Sequence, residues 1–115
     1  MIINKQCMIL TVAILMSGCA SNTMYNWENY SSTLYDLNSD YSTEAEQKHY
    51  LELNKIVSKA TTKKKVPPGI YFELGMYEAK LGNEEKAKEY FQMELEAYPE
   101  SLVFVQRALG GEQSE

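Results

Sequence analysis

The chain has 115 residues, which is enough for one small domain. It carries 11 Lys and Arg against 16 Asp and Glu, so its formal net charge is −5. A nucleic-acid partner would require clustered positive charge, and we therefore expect none.

The first predicted element is a secretory signal peptide over residues 1–18. Met1 to Gln6 contains one positive charge, Lys5, and no acid, and Cys7 to Met16 is apolar apart from Thr11. This apolar run is about half of the ~20 residues that a bilayer-spanning helix needs, and small residues follow it. A buried N-terminal core helix is the alternative interpretation, although the run lacks an amphipathic pattern.

The end of this run resembles the lipobox of bacterial lipoproteins. The residues Met16-Ser17-Gly18-Cys19 match the usual Leu-Ala/Ser-Gly/Ala-Cys, except that Met stands in place of Leu. The resemblance implies cleavage between Gly18 and Cys19 and acylation of Cys19 by diacylglycerol and a further fatty acid such as palmitate. Ala20 in place of Asp favours sorting to the outer membrane, facing the periplasm. Cys7 would leave with the signal peptide, so no disulfide is expected.

A lipidated N-terminus and tether, residues 19–28, is expected to precede the first helix. Tyr30, Leu34 and Leu37 recur at helical spacing, which predicts a short amphipathic helix over residues 29–37. The aromatic residues in this region either pack on the domain or form an exposed partner-binding patch. The candidate partner-binding residues are Tyr25, Trp27, Tyr30 and Tyr35.

A second helix is predicted from Thr43 to about Thr61. Thr43 and Glu46 fit a capping box. The apolar residues that follow recur at intervals of three and four residues, as on one face of a helix: Tyr50, Leu53, Ile56, Val57 and Ala60. We interpret His49 as a surface or boundary residue. Lys63 to Lys65 are expected to form a solvated loop, and a role against anionic head groups or an acidic partner is the alternative.

Three further helices are predicted after this loop. Pro67 and Pro68 would open the third helix, Gly82 suits the turn that ends it, and Asn83 would cap the fourth. Pro99 would end the fourth helix. The final helix, from about Glu100 to Leu109, is expected to bury Leu102, Val105 and Leu109.

The third and fourth helices resemble the tetratricopeptide repeat, whose pattern is W-x₂-L-G-x₂-Y, then A-x₃-F, then P. Glu78 departs from this pattern, because the repeat prefers Tyr there. Gly75 and Ala87 would allow the two helices to approach closely, and Tyr71 and Phe91 would fill the space beside them. We expect an all-α fold: a small helical bundle, residues 29–111, with one tetratricopeptide-like helix-turn-helix unit, flanking capping helices and a tail at 112–115. The fold-determining residues are Tyr71, Leu74, Gly75, Gly82, Ala87, Phe91 and Pro99.

The mature region also resembles a small family of Gram-negative lipoproteins of undefined function. Four segments carry the resemblance: Trp27 to Tyr35, Lys65 to Gly75, Gly82 to Ala87 and Tyr98 to Ser101. Such proteins are typically encoded beside a lipoprotein similar to the curli secretion channel. The resemblance implies a part in a cell-envelope assembly, with that channel-like lipoprotein as a candidate partner.

The sequence offers no set of catalytic residues, so we expect neither an enzyme nor a bound cofactor or metal. Glu46-x-x-His49 occurs in a single copy, whereas di-iron helical bundles need the motif twice. Three interpretations of function remain. The first is a membrane-anchored periplasmic adaptor that binds a partner protein, and the second is a structural subunit or chaperone of a secretion channel. The third is a small-ligand-binding lipoprotein.

Overall fold

The computed structural model describes residues 23–110, and the predictions for residues 1–22 and 111–115, including the signal peptide, Cys19 and the tail, lie outside it. The described part is all-helical. Its only β-type pairing is an isolated parallel bridge between Tyr25 and Lys65. The helices are α1 (Tyr30–Ser39), α2 (Thr43–Ser58), α3 (Ile70–Lys80), α4 (Glu84–Ala97) and α5 (Leu102–Gly110), with a 3₁₀ turn at Pro99–Ser101 before α5.

Helices α3 and α4 form the tetratricopeptide-like hairpin that the sequence predicts. Gly75 on α3 faces the ring of Phe91 on α4, and a Cβ atom at Gly75 would lie 2.6 Å from Phe91 Cε1. The absence of a side chain at Gly75 therefore permits the close approach of the two helices. Ala87 and Phe91 are buried together with Val105 of α5, so one small cluster joins all three helices.

The larger core cluster lies between α2 and α3. Leu53 and Ile56 of α2 pack against Ile70 and Leu74 of α3, and Val66 from the connecting segment completes the group. Tyr30 of α1 packs on its edge. Lys80, the last residue of α3, pairs with Glu46 near the start of α2, so these two helices run antiparallel. The pair α1 and α2 and the tetratricopeptide-like hairpin of α3 and α4 thereby form one bundle.

The helix ends differ from the predictions at several points, and α2 ends at Ser58 rather than at about Thr61. Ser42, rather than Thr43, caps α2, because its hydroxyl accepts a hydrogen bond from the Ala45 N–H at 3.1 Å. The prolines precede α3 rather than opening it, and Gly69 stands at the N-cap with φ of +94°, a conformation that suits glycine. Asn83 occupies the N-cap of α4, but its side chain donates to Glu78 instead of capping the helix.

The last helix differs from the prediction in what it buries. Val105 is buried, as expected, but Leu102 and Leu109 are 46% and 58% exposed. The physical reason is that α5 contacts its neighbours through one narrow line of residues, Val105 and Ala108, which pack on the cluster around Ala87 and Phe91. No other described helix covers the rest of its apolar face.

Candidate functional site

Helix α5 carries four exposed large apolar residues: Leu102, Val103, Phe104 and Leu109. At helical spacing, Phe104 falls on one side of the buried line of Val105 and Ala108, and Leu102 and Leu109 fall on the other side. Phe104 is 61% exposed. We call Leu102, Phe104 and Leu109 the α5 apolar surface. Its apolar arc is wider than the contact with α4 requires, so it is suited to a further partner.

The four aromatic residues singled out in the sequence do not form one patch of equal exposure. Tyr35 is 72% and Trp27 39% exposed. Tyr25 is half-buried and its ring lies 6.4 Å from that of Tyr98. Tyr30 packs on the core, and its hydroxyl donates a hydrogen bond to Glu73. Burial and this carboxylate raise the pKa of Tyr30, so the hydroxyl stays protonated. Only Tyr35 and Trp27 therefore present large surfaces to a partner.

His49 is buried at the junction of α1, α2 and α3, which corrects its interpretation as a surface or boundary residue. Its Nδ1 lies 2.7 Å from Thr33 Oγ1, and its Nε2 lies 3.0 Å from Glu73 Oε2. The Nε2–H donates to the Glu73 carboxylate, and the Thr33 hydroxyl that contacts Nδ1 also donates to the Tyr30 carbonyl at 3.1 Å. Tyr30 donates to the other oxygen of Glu73. We call these four residues the His49 network.

The order hydroxyl, imidazole, carboxylate in the His49 network is that of a nucleophilic triad. Thr33 and His49 are 3% and 1% exposed, however, so a substrate has no path to the hydroxyl in this conformation. The hydrogen bonds instead satisfy polar groups that three helices bury together. Glu46 and His49 do not converge on a metal site, since Glu46 binds Lys80 and Tyr41.

Two further carboxylates are buried. Glu78 accepts hydrogen bonds from Tyr50 and Asn83 at 2.8 Å each, and Lys86 Nζ lies 3.2 Å away. Burial alone would raise the pKa of Glu78, but these three partners together hold it below its ordinary value. Glu94 accepts hydrogen bonds from the Gly69 N–H and the Ser101 hydroxyl, both at 2.9 Å.

Sequence analysis missed these buried polar residues, although a signal for them exists. His49 stands four residues before Leu53 and seven before Ile56. Glu94 stands seven residues after Ala87 and three after Phe91. Glu78 stands four residues after Leu74. Each thus lies on the buried stripe of its helix. The spacing of these residues along their helices indicates that they are buried, whereas their residue types alone would predict that they lie on the surface.

A cleft between α2 and α3 is the remaining candidate site. It has a volume of ≈ 310 Å³ and is lined by Tyr50, Tyr77 and Leu81 among others. Its two charged residues, Glu46 and Lys80, pair with each other, and Tyr41 binds both. The cleft is therefore a largely apolar depression whose charges are already satisfied.

The residues from 23 to 110 contain no group of three or more His, Cys, Asp and Glu side chains placed to hold a metal ion. In the same part of the chain, every helix falls short of the length and apolar character that crossing a membrane requires.

A comparison with protein families matches residues 24–108 to a domain of unknown function, DUF4810. Comparisons with curated proteins and with solved structures gave no match. The matched segment runs from the tether through the described helices almost to the end of α5. The chain therefore belongs to the DUF4810 family, a family of undefined function.

Proposed function

We propose that the chain is a lipoprotein, anchored through acylated Cys19 in the outer membrane and facing the periplasm, that acts as a protein-protein interaction adaptor or accessory subunit of a cell-envelope assembly. The observation that carries the adaptor role is the α5 apolar surface. The lipobox-like sequence before Cys19 supports the anchor. An acylated anchor would raise the effective concentration of the domain near other anchored proteins.

The partner element that fits the α5 apolar surface best is an amphipathic helix of another envelope protein. In helical repeat proteins, each unit leaves an apolar face that the next unit covers. Helix α5 follows the tetratricopeptide-like hairpin at the position where a next unit would begin, but the described residues provide no second helix for it. The exposed apolar side chains on both sides of the buried Val105 would contact the apolar face of such a helix. A lipoprotein similar to the curli secretion channel is the candidate partner.

Charge-introducing substitutions on α5 test the adaptor role. Phe104→Glu and Leu109→Glu are expected to abolish co-purification of the envelope partner in mild detergent, because each places a charge in the apolar contact. Both residues are exposed, so the thermal melt should stay within a few degrees of the wild type. Leu51→Glu is the matched control, since Leu51 on α2 is 59% exposed and lies away from α5.

The outcomes separate the adaptor role from its alternatives. Retained co-purification in both α5 variants contradicts the use of this surface. Tyr35→Ser then tests the aromatic residues near the N-terminus, of which Tyr35 is the most exposed. A wild-type chain that retains no protein in several detergents contradicts the adaptor role, and a small-ligand-binding or purely structural lipoprotein becomes the preferred function. The α2–α3 cleft, whose volume is at the lower end for ligand sites, is then the place to test for binding.

The anchor has its own test. Cys19→Ser is expected to leave an unprocessed precursor, because the resemblance to lipoproteins makes acylation of this thiol the step before cleavage. Cys7→Ser is the control, since Cys7 lies within the predicted signal peptide and should not affect processing. Mass spectrometry of the purified N-terminus decides the question. An unacylated Cys19, or an intact Met1 on the mature wild-type protein, contradicts the anchor.

A further inference from the structure

We propose that the connection between α2 and α3 binds the anionic phospholipid head groups of the membrane that holds the chain. This inference rests on the lipid anchor of the proposed function and extends it to a second contact and a fixed orientation. We call residues 61–65, with Lys63, Lys64 and Lys65, the lysine loop. The proposal stands on three properties of this loop: its unpaired charge, its ordered backbone and its attachment to the tether.

The lysine loop carries positive charge that the described residues leave unpaired. Lys63, Lys64 and Lys65 are exposed, and none forms an ion pair within residues 23–110. Glu96 lines the same shallow depression as Lys65 but makes no ion pair with it. The neighbouring Lys55 and Lys59 differ, because both pair with Glu28. In a chain of net charge −5, the lysine loop is thus a local cationic surface.

Two hydrogen bonds constrain the backbone of the lysine loop. The Thr61 N–H donates to the Lys64 carbonyl at 2.8 Å, and the Lys64 N–H donates to the Thr61 hydroxyl at 3.0 Å. These two hydrogen bonds close a turn that presents successive lysines. Binding would therefore cost little backbone entropy. A loop that had to become ordered on binding would lose more of its binding free energy to this cost.

The lysine loop is attached to the segment that leads to the anchor. The Lys65 N–H donates to the Met24 carbonyl at 3.2 Å, and Tyr25 and Lys65 form a parallel bridge. Cys19 precedes Met24 by five residues, and five residues span at most about 18 Å when fully extended. An acylated Cys19 would thus keep Met24 within about 18 Å of the head groups, and any tether that is not fully extended would bring the lysine loop closer to the ~8 Å over which the charged surface acts. No other group of three consecutive lysines occurs in the chain.

The chemistry of this contact selects anionic lipids. Each Lys near an anionic leaflet strengthens binding about fivefold, so three lysines together supply up to about a hundredfold preference over a neutral surface. An acidic protein would offer the same charge, but the short tether places a lipid surface beside the loop continuously. The contact would orient the bundle with the α2–α3 connection towards the bilayer and the α3–α4 turn away from it.

Lysine acetylation of the mature, lipidated protein on vesicles tests the proposal. The protein is bound to phosphatidylcholine vesicles with or without about one-third phosphatidylglycerol, and the labelling of each lysine is followed by mass spectrometry. We expect labelling of Lys63 to Lys65 to slow at least about fivefold on the anionic vesicles and to recover at about 1 M salt, where screening acts over ~3 Å. Lys48 and Lys88, which are also exposed, serve as internal references.

The sole tryptophan, Trp27, gives a second readout for variants. Spin-labelled head groups should quench Trp27 more strongly in anionic than in neutral vesicles, because the lysine loop draws the N-terminal side of the bundle to the surface. Replacing Lys63, Lys64 and Lys65 by Gln should remove this lipid dependence. The matched control replaces Lys48, Lys88 and Arg107 by Gln, which removes equal charge elsewhere and should preserve it.

Each result bears on the proposal. Equal labelling of the lysine loop on neutral and anionic vesicles overturns it, as does protection that arises only when another envelope protein is added. Failure of the anchor is recognised independently, by the mass of the N-terminus. If Cys19 is not acylated, the protein as purified is sedimented with the same vesicles, and binding that depends on phosphatidylglycerol and on the three lysines still supports the loop as a lipid contact.

Discussion

Two of the contacts between helices in this bundle are made by different means. At Gly75 the α3–α4 contact depends on shape: Gly75 leaves room for the Phe91 ring, and the cluster of Ala87, Phe91 and Val105 is apolar. The contact of α1 with α2 and α3 depends on hydrogen bonds, through the His49 network. A contact that depends on shape can be predicted from a local sequence pattern, because it needs small and aromatic residues at fixed spacing. A hydrogen-bond network is assembled from distant residues.

This difference predicts different responses to substitution. A contact built on shape fails when volume is added, because nothing nearby can move aside. A contact built on hydrogen bonds fails when one member is removed, because its former partners stay buried without compensation.

Gly75→Leu should destabilise the bundle most, by about 3 kcal/mol or more, because even a Cβ atom would approach Phe91 to 2.6 Å. Ala87→Leu should act in the same direction from α4. Chemical denaturation with urea measures both. Met76→Leu is the control, because Met76 is adjacent but exposed, and it should change stability by less than about 0.5 kcal/mol. Unchanged urea midpoints for Gly75→Leu and Ala87→Leu would show that the helices do not cross closely here.

His49→Ala should cost about 2–3 kcal/mol, since it leaves Thr33 Oγ1 and Glu73 Oε2 without their ring partner and opens a cavity. Thr33→Val removes a single hydroxyl and should cost about 1 kcal/mol. The double variant should cost less than the sum, because both changes break the same contact. Lys48→Ala, one residue away and exposed, is the control for α2. Additive effects would contradict coupling within the His49 network.

Glu78→Gln should destabilise the bundle less than His49→Ala, by about 1–2 kcal/mol at neutral pH, but with a distinct pH dependence. The pKa of Glu78 is lowered in the folded state, so its ionised form contributes stability above the ordinary carboxyl pKa of 4.5. That contribution is lost as the pH falls below 4.5 through the lowered folded-state pKa. Urea unfolding across this range should therefore show a shallower acid decline for Glu78→Gln than for the wild type.

Other carboxylates also contribute to the loss of stability at low pH, but their contributions are the same in the wild type and in Glu78→Gln. Hydrogen bonds with Asn26 and Lys59 lower the pKa of Glu28 to about 2, and bonds with Lys80 and Tyr41 lower the pKa of Glu46. Both carboxylates are present in the wild type and in the variant alike. Glu85→Gln is the control, because Glu85 pairs with Lys88 on the surface. Identical pH profiles for wild type and Glu78→Gln would contradict the role assigned to this carboxylate.

The predictability of the fold follows from the same distinction. The tetratricopeptide-like unit could be predicted because Leu74, Gly75, Ala87 and Phe91 each perform a packing role at a fixed spacing. His49 and Glu73 could not be paired from the sequence, since they lie 24 residues apart and their contact depends on how α2 meets α3. The α5 apolar surface was hidden for a related reason: periodicity identifies Leu102 and Leu109 as apolar-face residues but does not indicate whether a neighbour covers them.

The Glu94 carboxylate links two parts of the chain whose local opening should therefore be correlated. Its Oε1 atom accepts both the N–H of Gly69, at the start of α3, and the hydroxyl of Ser101, at the start of α5. Detachment of α5 would disturb the carboxylate that protects the Gly69 amide. Hydrogen exchange at that single amide should thus report the docking of a helix more than thirty residues away along the sequence, and Ser101→Ala should accelerate it without unfolding the bundle.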